Sequence, residues 1–165
     1  MRLVLVFCLS IASLVLPAAQ ASAANATELV GTWRFVSAAD TKADGTPVTV
    51  LPAITYEGLL IYTRRGFVSV TLMPKGRAWS NATVTDAQLR AAVLAPATTA
   101  YSGTYRVNTD AGTVTHHIET SLDPSDQGRD LVRHYTLAGD TLQLSGEWQN
   151  KGETLRFSVT YKRVE

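Results

Sequence analysis

From Leu29 onwards, apolar and polar residues alternate in short runs, and turn-forming residues recur between them. A period of two is the signature of half-buried β-strands. Leu29 to Ala38 is predicted as the first strand, with Trp33 and Phe35 on one face, and the polar stretch Asp40 to Pro52, with Asp44-Gly45 and two prolines, as a loop. Gly58 to Thr63 and Phe67 to Met73 follow, joined by Arg64-Arg65-Gly66. Thr99 to Asn108 and Thr113 to Leu122 flank Thr109-Asp110-Ala111-Gly112, and Leu131 to Leu137 and Thr141 to Gln149 flank Ala138-Gly139-Asp140. Thr154 to Arg163 is last, after Asn150-Lys151-Gly152, which makes eight strands. Thr85 to Ala95 alone has helical character. Thr85 and Gln88 fit a capping box, Leu89, Ala92 and Val93 share a face expected to cover a barrel opening, and Pro96 marks the stop.

Eight antiparallel strands linked mainly to their neighbours leave two exposed edges, and closure removes both. The expected fold is all-β: an eight-stranded antiparallel up-and-down barrel with one short helix. Such a barrel is just wide enough to be filled by side chains or to hold one small ligand. A two-sheet sandwich competes, but few connections here have Greek-key length.

The N-terminus breaks the pattern. Met1-Arg2 is followed by an apolar run from Leu3 to Leu16, then Pro17 and Ala21-Ser22-Ala23. This reads as a secretory signal peptide over residues 1–23, cleaved after Ala23, with the barrel domain over 24–165. The run is too short for a spanning helix, which needs roughly 20 residues. A secreted or periplasmic location follows. The single cysteine, Cys8, would leave with the signal, so the mature chain would hold no disulfide and no thiol nucleophile. Lys plus Arg number 15 against 14 for Asp plus Glu. That balance gives no basic surface for nucleic acid or for an acidic membrane. Asn25-Ala26-Thr27 and Asn81-Ala82-Thr83 fit the glycosylation sequon, which matters only in a cell that uses it.

Gly31-Thr32-Trp33 on the first strand resembles the Gly-x-Trp signature of lipocalins and related calycin barrels. In that family an arginine on the last strand packs over the tryptophan, and Arg163 is the matching residue, in phase with Leu155, Phe157, Val159 and Tyr161. More narrowly, the chain resembles the microbial lipocalin-like domain family through Gly58-Leu59-Leu60-Ile61-Tyr62-Thr63, Tyr101-Ser102-Gly103-Thr104-Tyr105, His116 within Val114 to Ile118, and Gly139-Asp140-Thr141-Leu142-Gln143-Leu144. The resemblance spans nearly all of residues 29–163. It implies the barrel and, loosely, a small-molecule cavity. The Thr-Asp-Tyr motif of animal lipocalins is absent, so their receptor-binding and retinoid-carrier roles are not carried over.

Strand phase identifies the interior. Val114, His116, Ile118 and Leu122 fall on one face, as do Leu131, Arg133, Tyr135 and Leu137, and Leu142, Leu144, Gly146 and Trp148; Tyr101, Tyr105 and Val107 also face in. The expected ligand-binding residues are therefore His116, Arg133, Tyr101, Tyr105, Tyr135 and Trp148. A buried arginine needs an anion or several acceptors, and a ligand carboxylate, enolate or polarised carbonyl would serve. The plainer readings are a core histidine bonded to a tyrosine or a backbone carbonyl, an arginine bonding loop carbonyls at the rim, and aromatic residues that only fill the core.

His116-His117 is no metal pair, since adjacent strand residues point to opposite faces, and no metal or cofactor is expected. Neither a Gly-x-Ser-x-Gly elbow nor a phosphate-binding glycine loop is present. Two functions remain. The chain is either a binder of a small hydrophobic molecule with a polar or anionic end, acting as a monomer or weak homodimer, or a cofactor-free isomerase or cyclase using His116 and Arg133. The binder is favoured because only two candidate catalytic groups are visible and neither has an obvious acid partner.

Overall fold

The computed structural model describes residues 26–77, 85–93 and 98–165. The segment assigned to the signal peptide, Cys8 and the sequon residues Asn25 and Asn81 lie outside them. The strands are β1 (Gly31–Thr41), β2 (Pro47–Pro52), β3 (Tyr56–Tyr62), β4 (Phe67–Pro74), β5 (Thr99–Asn108), β6 (Thr113–Ser121), β7 (Asp130–Ala138), β8 (Thr141–Asn150) and β9 (Glu153–Arg163), with one helix, α1 (Asp86–Val93). All pairings are antiparallel, β3 to β9 lie side by side in chain order, and β1 pairs with both β3 and β9. β1 and β3 to β9 thus form a closed eight-stranded barrel.

β2 is the extra strand, in the stretch expected to be a loop. It pairs with the second half of β1, from Ser37 to Thr41, while β3 pairs with the first half, from Gly31 to Arg34. Pro47 and Pro52 stand at its two ends, where a missing N–H interrupts the ladder least. The prolines therefore bound a strand and do not exclude one. β1 itself begins later than expected, because Leu29 closes a 3-10 turn over Ala26–Leu29.

Inward residues alternate as the phase requires, with Val114, His116 and Ile118 buried on β6 and Leu142 and Leu144 on β8. Leu122 departs from the expectation. β6 carries a bulge at Glu119, where Ser102 pairs with Thr120 but Gly103 pairs with Ile118. One extra residue reverses the facing of everything beyond it, so Leu122 is 39% exposed.

The capping box of α1 forms: Gln88 N–H donates to Thr85 Oγ1 at 3.3 Å, and Thr85 N–H donates to Gln88 Oε1 at 3.0 Å. Leu89, however, is 50% exposed, so it does not cover the barrel. The side chains of Ala92 and Val93, and the stop at Pro96, lie outside the described residues. No helix among the described residues is long and apolar enough to cross a membrane.

One end of the barrel is filled. Leu29, Trp33, Leu60, Tyr62, Val114 and Leu142 are fully or almost fully buried there. Trp33 Nε1–H donates to the Leu29 carbonyl at 2.8 Å, which fixes the 3-10 turn under the ring. Arg163 lies over that indole with Cζ 4.0 Å from the ring centroid. Gly31 is needed at this plug. Its φ is +141°, and a Cβ there would lie 2.5 Å from the Glu165 carbonyl oxygen and 2.8 Å from Arg163 Nη1.

Candidate functional site

The other end is hollow. A cavity of about 760 Å³ opens there, walled by the second half of β1, by Leu51 of β2 and by the adjoining parts of β4, β5, β7, β8 and β9. Its volume is in the range of small-molecule pockets. The walls are apolar over Leu51, Val70, Leu72, Leu131, Leu144 and Val159, with Tyr101, Phe157, Tyr161, Trp148 and Arg133 among them.

Arg133 comes from the first half of β7, where its pairing with the buried Val114 of β6 faces it inward. Its guanidinium lies between two rings, Cζ standing 5.9 Å from the Tyr101 centroid and 5.6 Å from that of Phe157. Gly146 makes room for the second ring: a Cβ there would stand 2.7 Å from Phe157 Cε1. Among the described residues Arg133 makes no hydrogen bond and no ion pair, so two aromatic faces are its observed neighbours.

The acids on the cavity wall already have partners. Asp130 takes His117 Nδ1 at 2.8 Å and Arg106 Nη2 at 3.3 Å. Asp126 takes Arg129 Nη1 at 2.9 Å, Glu147 takes Arg156 Nε at 3.2 Å, and Asp40 takes Trp148 Nε1–H at 3.2 Å. Among the described residues, Arg133 is thus the cation on the wall left without a carboxylate.

His116 lies beneath this floor and not on it. It is fully buried, with Tyr62 Oη 2.6 Å from Nε2 and Tyr101 Oη 2.8 Å from Nδ1. Burial first, and then the charge of Arg133, lower its pKa to about 3, so the ring is neutral and carries one proton. Which nitrogen carries it follows from Tyr62. That hydroxyl is buried, and His116 Nε2 is its one hydrogen-bond partner among the described residues. If Tyr62 accepted from Nε2–H, its own O–H would be left unmade, at a cost of about 1–3 kcal/mol. Tyr101 lines the cavity, where its O–H can meet solvent or a ligand, and Tyr62 does not, so Tyr62 donates to Nε2, and Nδ1–H donates to Tyr101 Oη.

The remaining expected residues divide between the two ends. Tyr101, Arg133 and Trp148 line the cavity, Trp148 at its lip with 42% exposure. Tyr105 faces the filled end, where Tyr105 O–H donates to the Thr63 carbonyl at 2.9 Å and its ring centroid is 4.6 Å from that of Tyr62. Tyr135 is buried toward the same end, and that burial first, then the charge of Glu28, raises its pKa. The alternation of the strands placed both rings inside but could not say at which height.

Tyr161 and Phe157 share the inward phase of the last strand with Arg163, and phase alone does not set them on the cavity wall. The signal for Tyr161 was a hydroxyl on an otherwise apolar inward face. That hydroxyl makes no hydrogen bond among the described residues, and burial raises its pKa.

A profile of the lipocalin-like domain matches residues 30–164, from the residue before Gly31-Thr32-Trp33 to the residue after Arg163. The chain belongs to the lipocalin-like domain family. No curated protein matches it. A lipocalin-like barrel, hollow at one end and sealed at the other, suggests the binding of a small hydrophobic ligand.

Proposed function

We propose that this lipocalin-like protein binds a small hydrophobic molecule with a polar or anionic end, and that Arg133 meets that end. One observation carries the reading: a guanidinium on the cavity wall, set between two aromatic rings, that makes no ion pair among the described residues while the acids of the same wall are engaged by other groups. Arg133 is half-buried, and a charge taken partly out of water without a counter-ion is costly; an anionic ligand group would supply one through a charge-assisted bond of roughly 1.5–3 kcal/mol. Secretion after cleavage at Ala23, and action as a monomer or weak homodimer, belong to the same proposal. An isomerase or cyclase role for His116 finds less support, because both ring nitrogens are engaged and the ring resists protonation.

Native mass spectrometry of gently purified protein would weigh any co-purifying molecule. The decisive test is titration of dodecanoate and dodecanol against wild type and Arg133→Leu. The acid should lose about ten- to a hundredfold in affinity and the alcohol far less. Equal losses for both would overturn the reading.

A further inference from the structure

The hydrogen-bonded chain Tyr62–His116–Tyr101 crosses the barrel wall to wall beneath the cavity. It has a direction, fixed at the buried Tyr62 end: Tyr62 O–H to Nε2, then Nδ1–H to Tyr101 Oη. Tyr101 is therefore an acceptor toward His116, and its own O–H hydrogen has no acceptor among the described residues. Tyr101 lines the cavity. Tyr161 lines it too, with a hydroxyl that is likewise unbonded among the described residues. Arg133 acts on both, since its charge opposes the rise that burial gives their pKa values.

We propose that Tyr101, Tyr161 and Arg133 form one donor-only site for a carboxylate, and that Tyr62 and His116 are positioning residues that turn the Tyr101 hydroxyl toward it. This rests on the ligand-binding reading and goes further by naming the ligand's polar group and two residues that act without touching it. The chemistry favours a carboxylate over a neutral alcohol or amide. A carboxylate accepts at two oxygens and offers no hydrogen, which matches a floor of donors. A neutral alcohol has a hydrogen to give, and the acids on the wall that might take it are already engaged.

The relay makes a prediction that a merely structural tyrosine does not. Without the Tyr62 hydroxyl, Nε2 has no donor, His116 can take its other tautomer, and Nδ1 can then accept the Tyr101 hydrogen and withdraw it from the cavity. The same two probes, dodecanoate and dodecanol, are titrated against Tyr161→Phe, Tyr101→Phe, Tyr62→Phe and the Tyr62→Phe/Tyr101→Phe double variant. Each single variant should reduce the preference for dodecanoate roughly ten- to a hundredfold, the size of one hydrogen bond to a charge. The double variant should lose no more than Tyr101→Phe, because both changes remove the same donor.

Nitrogen-15 shifts of the His116 ring supply a readout on wild type alone, expected to show Nδ1 protonated and Nε2 bare. The reverse tautomer overturns the relay, as does Tyr62→Phe leaving the preference unchanged. If wild type binds neither probe, or Arg133→Leu affects both alike, the ligand-binding reading fails and this one falls with it. If the acid is preferred through Arg133 while Tyr161→Phe and Tyr101→Phe change nothing, the donor site alone is overturned.

Discussion

The Arg163 guanidinium rests on the Trp33 indole and at the same time bonds two carbonyls of the chain that leads into that strand. Nη1 reaches Val30 O at 2.9 Å and Nη2 reaches Glu28 O at 2.6 Å. One side chain of the last barrel strand thus fastens the segment that enters the first. Arg163→Ala should lower stability by about 2–3 kcal/mol, since it removes a cation–π contact and leaves two carbonyls without their donor. Dodecanoate affinity should stay within about twofold, because the cavity is at the other end; chemical denaturation and ligand titration on one sample check both. A large loss of affinity with unchanged stability would count against this account of the plug.

His116 makes stability depend on pH. Its pKa is lowered to about 3 in the fold against an ordinary 6.5. Below 6.5 the unfolded chain takes up a proton that the folded chain refuses. Its contribution is therefore complete above that value and declines as the pH falls toward 3. At about pH 4.5 it should cost about 2–3 kcal/mol relative to pH 7. Urea midpoints at the two pH values should converge in His116→Gln by that amount, and parallel slopes for the two proteins would refute it.

Gly146→Ala tests the seat of Arg133. The new methyl would press on the Phe157 ring, whose far edge can give way. The expected result is a stability loss of about 1 kcal/mol, with dodecanoate weakened more than dodecanol because the guanidinium loses the face it rests on. An unchanged ratio of the two affinities would show that Phe157 does not hold Arg133 in place.

Trp148 should act on the apolar part of the ligand alone. It stands at the lip, tied through its indole N–H to Asp40. Trp148→Ala should weaken dodecanoate and dodecanol alike, by roughly three- to tenfold, through lost apolar contact. A selective effect on the acid would move the carboxylate to the mouth.

Much of the barrel is legible in the sequence, because each strand is bounded by its own turn and alternates on its own. Ala138-Gly139-Asp140 and the flanking Leu137 and Leu142 are enough to set a hairpin, and those two leucines do pair. The match of Gly31-Thr32-Trp33 with Arg163 is legible only through the resemblance, since nothing local joins residues so far apart. β2 is hidden because its two prolines read as loop until the ends of the strand are known. The bulge at Glu119 leaves no mark in composition, so Leu122 keeps an inward phase on paper. Phase places Tyr101, Tyr105 and Tyr135 inside, but their height depends on barrel register, which is a property of all eight strands together. The partnership of His116 with Tyr62, 54 residues away, has the same origin.

The pairing of β1 with β9 has a consequence for how the chain reaches this state. The first strand made has as its neighbour the last, so the ring cannot close until residue 163 is available. Contacts this distant in sequence are slow to form. Until then β1 offers the edge that β9 will occupy, with Trp33 and Phe35 on it and no plug beneath them. β2, which follows at once and covers part of the opposite edge, shields only half of that strand. An unfinished chain is therefore most open to wrongful β-pairing along Trp33 to Thr41, and a shortened chain lacking the last strand should aggregate through that edge instead of folding to a smaller barrel.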